Sequence, residues 1–571
     1  MKNLRCYHSL VWGLFIASTM FFVVMLGMSA LAQGDRPVDA PMNAHESDPN
    51  RLGWMRGFPP PEDEVVRFTD PDYFAFPKLR WTVCRFRELM PIVGVPRGPG
   101  AARPLERAID DDGIDAVAFT PLGGGGTMTW AEAFDANYTD GVIVMHGGRV
   151  VYERYAGCLD EAGQHRVMSV TKSLTGFLGE TLVAEGGLDE NAPVRAVVPE
   201  LVESAFGDAT VRQVLEMTIG LRYSEDYADP DADVWRYAAA ASPLPKPEGY
   251  DGPRGYFAFL KTVRPEGEHG RAFGYKMVNA DALGWIIARA TGRSVARLLS
   301  ERIWSRIGAE REAYFTVDSV GTPFAGGGFS ATLRDMARLG QMILDGKWVD
   351  GRQIVPAAAI ARIRRGGDRA AFAKAGYDLL KGWSYRGMWW VSHDDHGAFA
   401  ARGVHGQTVY IDPAADMVIV RFASHPVAGN AANDPTSLPA YCAVADYLMG
   451  GTRGGAADGP EPPLTGGEWT IKDIAGRGVI DGARASLTFG GDGRLSGGAT
   501  CNRLIGRYRL DGRMLAVGPA GVTMMACPEA LMDQERRLLD LLPRVRSFAI
   551  GAEGTLALTA AGGGTIMARR R

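Results

Sequence analysis

Across residues 141–157, "GVIVMHGGRVVYERYAG" alternates apolar and polar side chains on either side of Gly147-Gly148. A period of two around a Gly-Gly turn predicts a β-hairpin. The pattern then changes. In "SVTKSLTGFLGETLVAEGG", "VNADALGWIIARATG" and "ATLRDMARLGQMI" the apolar residues recur at helical spacing. Alternation returns at "GMWWVS", "TVYID" and "MVIVRFA". Strands at both ends of a helical middle predict an α+β class, an antiparallel sheet flanked by helices with a helical subdomain.

Around residue 450 the periodicity stops in "GGTRGGAADGPEPPLTGG", a Gly- and Pro-rich linker placed at 451–465. From 466 to 571 short alternating runs are joined by Gly-Asp and Asp-Gly turns, with one amphipathic helix from about Glu529 to Leu542. This predicts a small β-rich domain. At the other end, Lys2 and Arg5 precede an apolar run from about Leu10 to Met28, and Ala30-Leu31-Ala32 offers a cleavage site. The expectation is a signal peptide over 1–32 and a periplasmic or secreted protein, with an uncleaved N-terminal anchor as the alternative. Residues 33–110, rich in proline and aromatics, read as an arm packing on a larger domain at 111–450.

Composition narrows the function classes. The 571 residues are 46% hydrophobic and 22% charged, which is globular and enough for several cores. A net charge of -4 without a long basic run gives no footprint for nucleic acid. No second membrane-length segment follows the signal. The expected partner is a small molecule, with the oligomeric state left open.

The candidate chemistry begins at Ser169-Val170-Thr171-Lys172. Residues three apart share a helix face, so an amine can reach the serine hydroxyl. A desolvated lysine gives up its proton more readily and can activate that hydroxyl. The chain carries 52 Arg and 10 Lys, and arginine cannot perform this step. Roughly 0.4 such tetrads are expected by chance, so the motif alone is a hypothesis. The alternative is an ordinary helix start, with Ser169 at the N-cap and Lys172 in solvent.

Further along stand "TVRQVLEMTIGLRYSEDYADP", "FGYKMVNADALGWIIARATG", "FAGGGFSATLRDMARLGQMI" and "ARGVHGQTVYIDPAADMVIVRF". In this order the segments resemble the serine β-lactamase-like superfamily, nearest its class C-like esterase and 6-aminohexanoate-dimer hydrolase branch, over roughly 110–450. The resemblance implies a β-lactamase/transpeptidase-like fold, Ser169 as nucleophile, Lys172 as its partner amine and Tyr275 as the catalytic tyrosine. Tyr275 would act as phenolate or as a proton relay. Tyr227 would contact a scissile amide. His405 and Gln407 would border the substrate, and the backbone N–H groups of Ser169 and Gln407 would form the oxyanion hole.

Two departures from the family pattern stand out. Met277 replaces the asparagine of Tyr-x-Asn, and Val404-His405-Gly406-Gln407 stands where β-lactamases carry a lysine-led motif. Esters or linear amides are therefore expected over β-lactams. A β-lactamase or peptidoglycan-directed peptidase, and a non-catalytic sensor or scaffold, remain as alternatives.

Other chemistries lack their patterns. There is no Gly-x-Ser-x-Gly, His-Glu-x-x-His, Cys-x-x-Cys or phosphate loop. His393 and His396 in "HDDH" lack an evident third ligand. No metal or cofactor is expected. The "CNR", "MMACP" and "MDQER" segments resemble the META domain. Cys501 and Cys527 lie within it, where export would allow a disulfide, with two buried free thiols as the usual alternative.

Overall fold

The computed structural model describes residues 41–571 apart from 125, 227–228, 347–352, 451–463, 466, 481–482, 512–513, 524, 526, 551–554, 561–563 and 571. The signal-peptide expectation and Tyr227 therefore lie outside the described residues. The chain divides into two compact units, one ending at Gly455 and the other starting at Ala456.

The first unit is built on two antiparallel sheets. Strand β1 (Ile92–Val95) belongs to the smaller. The hairpin is β2 (Thr139–His146) and β3 (Arg149–Tyr155), followed by the short β4 (His165–Arg166) and helix α1 (Val170–Ala184). Helix α2 is Met277–Thr291, and β5 (Ala313–Thr316), β6 (Phe329–Ala331) and helix α3 (Leu333–Asp345) come next. The later strands are β7 (Ser384–Arg386), β8 (Trp389–Val391), β9 (Phe399–Gly403), β10 (Gln407–Asp412) and β11 (Met417–Ala423), with helix α4 at Asp434–Leu448.

The larger sheet has seven strands in the order β7-β8-β9-β10-β11-β2-β3. The N-terminal hairpin thus completes a sheet whose other strands come from the far end of the unit. The smaller has four, in the order β1-β5-β6-β4. The fold is of the β-lactamase/transpeptidase type.

Helix α1 is buried on every side from Val170 to Leu182. Phe177, Leu174, Leu178 and Leu182 belong to the main core, each contributing roughly 1.5–3 kcal/mol through burial. The close approach of α1 to the sheet requires glycine at one place. A Cβ at Gly176 would stand 1.9 Å from the Gly387 carbonyl oxygen at the β7–β8 turn. Ser173 Oγ donates to the Met388 carbonyl at 2.6 Å and Trp389 Nε1 donates to the Ser173 carbonyl at 3.0 Å, fixing the helix against β8.

Residues before β1 form a separate aromatic cluster. Tyr73, Leu79, Trp81, Val83 and Phe86 pack with Met168 and Tyr314. The buried Arg80 pairs with the buried Asp140 of β2 at 3.1 Å. A disulfide joins Cys84 to Cys158. Neither partner stood out in the sequence, because 74 positions separate them.

In the second unit one sheet carries the ten strands found among the described residues, and the strand Thr565–Arg570 pairs back with Glu468–Ile474. Helix α5 (Glu529–Leu541) contributes Leu538 and Leu541 to this unit's core. Cys501 and Cys527 are bonded, so the disulfide forms. Among the described residues no helix is long and apolar enough to cross a membrane.

Candidate active site

The turn before α1 presents Ser169. Met168, a non-glycine residue with φ 47°, occupies the left-handed region immediately before it, a costly conformation held by its burial in the aromatic cluster. Ser169 then takes the N-cap position, yet its side chain makes no capping hydrogen bond. A capping serine spends its oxygen on the helix. This one receives a hydrogen bond from Lys172 Nζ at 2.9 Å.

Lys172 is only 2% exposed, so the solvated-lysine alternative does not describe this chain. Its ammonium also donates to the Gly326 carbonyl at 2.6 Å. Burial pushes its pKa down to about 8, against the opposing pull of Glu225 and Asp281.

Tyr275 is placed two residues ahead of α2 rather than on it. Its hydroxyl faces the Ser169 side chain, and Lys172 Nζ lies 5.1 Å from its ring centroid. Burial raises its pKa, and the nearby Ser169 hydroxyl opposes this. The phenol is therefore neutral at pH 7, which favours proton relay over a standing phenolate. Trp390, at 5.5 Å between centroids, and Tyr385, at 6.1 Å, wall its ring.

Two carboxylates that the sequence did not single out surround the lysine. Glu225 accepts the Met277 N–H at 2.6 Å, tying the loop ahead of Tyr227 to the start of α2. Burial raises its pKa. Asp281, buried inside α2, accepts from the Tyr237 hydroxyl at 2.5 Å and the Ala325 N–H at 3.2 Å. Its pKa is pushed up to about 7 by burial. Through Ala325 it steadies the peptide next to Gly326, whose carbonyl holds Lys172. Where Met277 removes the expected asparagine, these acids supply the polarity around the amine. No spacing rule would have found them.

The side chains of His405 and Gln407 are turned elsewhere, which does not fit the expectation that they border a substrate. His405 is 1% exposed, packs its ring edge-on against Phe74 and bonds through Nδ1 to the His425 carbonyl. Burial lowers its pKa to about 4. The arm covers it. The Gln407 amide donates to the Ala423 carbonyl and accepts the Ala423 N–H at 3.2 Å, so it is consumed inside the sheet.

The strand end that meets the nucleophile is Gly403. A Cβ there would stand 2.9 Å from the Ser169 nitrogen and 2.8 Å from the Val167 carbonyl oxygen. The strand end facing Ser169 is thus Gly403, ahead of the Val404–Gly406 turn. Arg402 bonds to Asp434 and lies 5.3 Å from the Trp390 ring centroid. The two histidines of "HDDH" reach different partners. His393 meets Ser384 at 2.7 Å and His396 meets Asp412 at 2.7 Å.

Comparison with known proteins agrees with this geometry. The β-lactamase family model matches residues 130–438. The chain belongs to the β-lactamase family. It is 35% identical to the 6-aminohexanoate-dimer hydrolase of Paenarthrobacter ureafaciens over 353 residues, 61% of this chain and 86% of that protein. Among solved structures it resembles a putative 6-aminohexanoate-dimer hydrolase from Bacillus anthracis with a TM-score of 0.61 and 31% identity, covering 68% of this chain and 99% of that one. The META domain model matches residues 462–571. The protein is a hydrolase of the β-lactamase family with a C-terminal META domain.

Proposed function

We propose that this β-lactamase-family hydrolase is an exported serine enzyme that cleaves linear amide or carboxylic ester bonds through an acyl-enzyme on Ser169. The carrying observation is a serine oxygen left unused by its helix and held at 2.9 Å by a buried amine. At neutral pH a fraction of Lys172 is unprotonated and takes the Ser169 proton as Oγ attacks the carbonyl carbon. The oxyanion is received by the Ser169 N–H and an N–H at the Gly403–Val404 end of β9, instead of Gln407. Two such donors contribute a few kcal/mol, about 3 for one. The neutral Tyr275 phenol passes a proton to the departing amine or alkoxide and regains one from the Lys172 ammonium, so that the proton taken from Ser169 leaves with the first product. Water then releases the acid.

The substrate class follows from the relatives named as 6-aminohexanoate-dimer hydrolases. Aromatic walls at Tyr275, Tyr385 and Trp390 suit an apolar chain. A β-lactam's carboxylate needs an unspent cation, whereas Arg402 is engaged by Asp434.

The test is hydrolysis of a nitrophenyl butyrate and of the linear 6-aminohexanoate dimer by the protein and by Ser169→Ala, with mass spectrometry of the acylated protein. Turnover lost in the variant and an acyl adduct on Ser169 support the reading. Equal rates in both proteins refute the nucleophile. Turnover of a penicillin but of neither ester nor amide would move the function to the β-lactamase alternative.

A further inference from the structure

Beneath the arm, on the four-stranded sheet, three polar residues stand in register. Tyr314 on β5 pairs with Ser330 on β6, and Ser330 pairs with Arg166 on β4. Cross-strand partners point to the same face of a sheet. All three are buried, at 0%, 0% and 6% exposure. Arg166 Nε and Nη1 and the Tyr314 and Ser330 hydroxyls make no hydrogen bond of good geometry among the described residues, although the two hydroxyls face each other and the Tyr314 hydroxyl faces the Arg87 backbone.

Among the described residues the guanidinium has no carboxylate partner. The ring of Phe86 lies 4.2 Å from its carbon and that of Phe324 lies 5.9 Å away. The titratable groups acting on it are the hydroxyls of Tyr73, Tyr256 and Tyr314. Arg421 is likewise buried away from carboxylates, but it donates to the Gly406 carbonyl and to Asn433, and four other buried arginines of this unit have carboxylate partners. Arg80 meets Asp140, Arg338 meets Asp335 and Glu310, Arg386 meets Glu180, Glu190 and Glu216, and Arg402 meets Asp434.

An arginine keeps its proton inside a protein and has no acceptor atom. Burying that charge without a counter-charge is costly, and attraction to the Phe86 ring offsets only part of it. Around the guanidinium the two facing hydroxyls can each turn a proton toward a shared acceptor. The result is a constellation of donors, carrying one positive charge, walled by aromatic rings. Such a cluster lacks one acceptor with one negative charge.

We propose that Arg166, Tyr314 and Ser330 form a buried binding site for a single small inorganic monoanion of the halide type. The bound anion neutralises Arg166 and accepts from both hydroxyls, locking the arm to the strand three residues ahead of Ser169. It takes no part in bond cleavage.

Because the anion binds only the folded unit, its concentration sets stability. The probes are chloride and bromide against gluconate at equal ionic strength. The unfolding midpoint of the full-length protein rises saturably in the halides and stays level in gluconate. Arg166→Met loses this dependence, and Tyr314→Phe, which keeps the ring, shifts half-saturation to higher halide. Crystals of the unmodified protein in bromide give an anomalous peak within hydrogen-bonding distance of Arg166 Nη1. Identical midpoints in halide and gluconate, with no bromide peak, overturn the site and leave water as its occupant. A halide dependence unchanged in Arg166→Met overturns it as well.

Discussion

Replacing Lys172 with methionine tests the electrostatic core of the site, because the side chain keeps its bulk and loses its proton. A fall in pKa from 10.5 to about 8 corresponds to roughly 3 kcal/mol at about 1.36 kcal/mol per pH unit. Below pH 8 both folded and unfolded chains hold the Lys172 proton, and the folded protein carries the full penalty for burying the charge. Between pH 8 and 10.5 the unfolded chain still holds the proton and the folded chain has released it. Stability contributed by this group therefore rises with pH across that window.

Lys172→Met has no such term, and titrations shared by the two proteins cancel. From pH 7 to 9.5 the stability difference should move toward the unmodified protein by roughly 2 kcal/mol. Asp281 moves it in the same direction. Lys172 lowers its pKa, so without the lysine that acid is harder to ionise and the variant loses stability as pH rises. The assay is urea unfolding of both proteins at several pH values, following the transition of the hydrolase unit. A difference constant to within a few tenths of a kcal/mol over this range refutes the depressed lysine, and with it the proposed base.

Glu225→Gln keeps an acceptor for the Met277 N–H but removes the charge that holds a proton on Lys172, so the rise of kcat/KM with pH moves to lower pH; a profile fixed in place argues against this coupling. Gly403→Ala inserts a Cβ between the Ser169 nitrogen and the Val167 carbonyl. Ester hydrolysis should fall by on the order of 100- to 1,000-fold with the fold retained by circular dichroism, the cost of a lost oxyanion donor. Cys84→Ser opens the link between the arm and the segment before β4, and the hydrolase unit should lose about 2–4 kcal/mol in urea unfolding under oxidising conditions.

The sequence by itself determined what depends on neighbours along the chain. Alternation around Gly147-Gly148 specified the hairpin, and three-residue spacing put Ser169 and Lys172 on one side of a helix. The order of motifs identified the fold and the META domain. Even so, Ser169-x-x-Lys172 read equally well as an N-cap followed by a solvated lysine, since burial is not a local property.

Only the tertiary structure decided that alternative. Gly326, 154 positions away, closes over Lys172 and removes it from water, and that desolvation makes an amine usable as a base. The same contacts recruit Glu225 and Asp281 from separate segments. His405 and Gln407 carried the expected residue types, but side-chain direction is set by what packs against a strand. The arm covers His405, and β11 claims the Gln407 amide. The place beside the nucleophile falls instead to Gly403, because a backbone approach that close excludes any side chain.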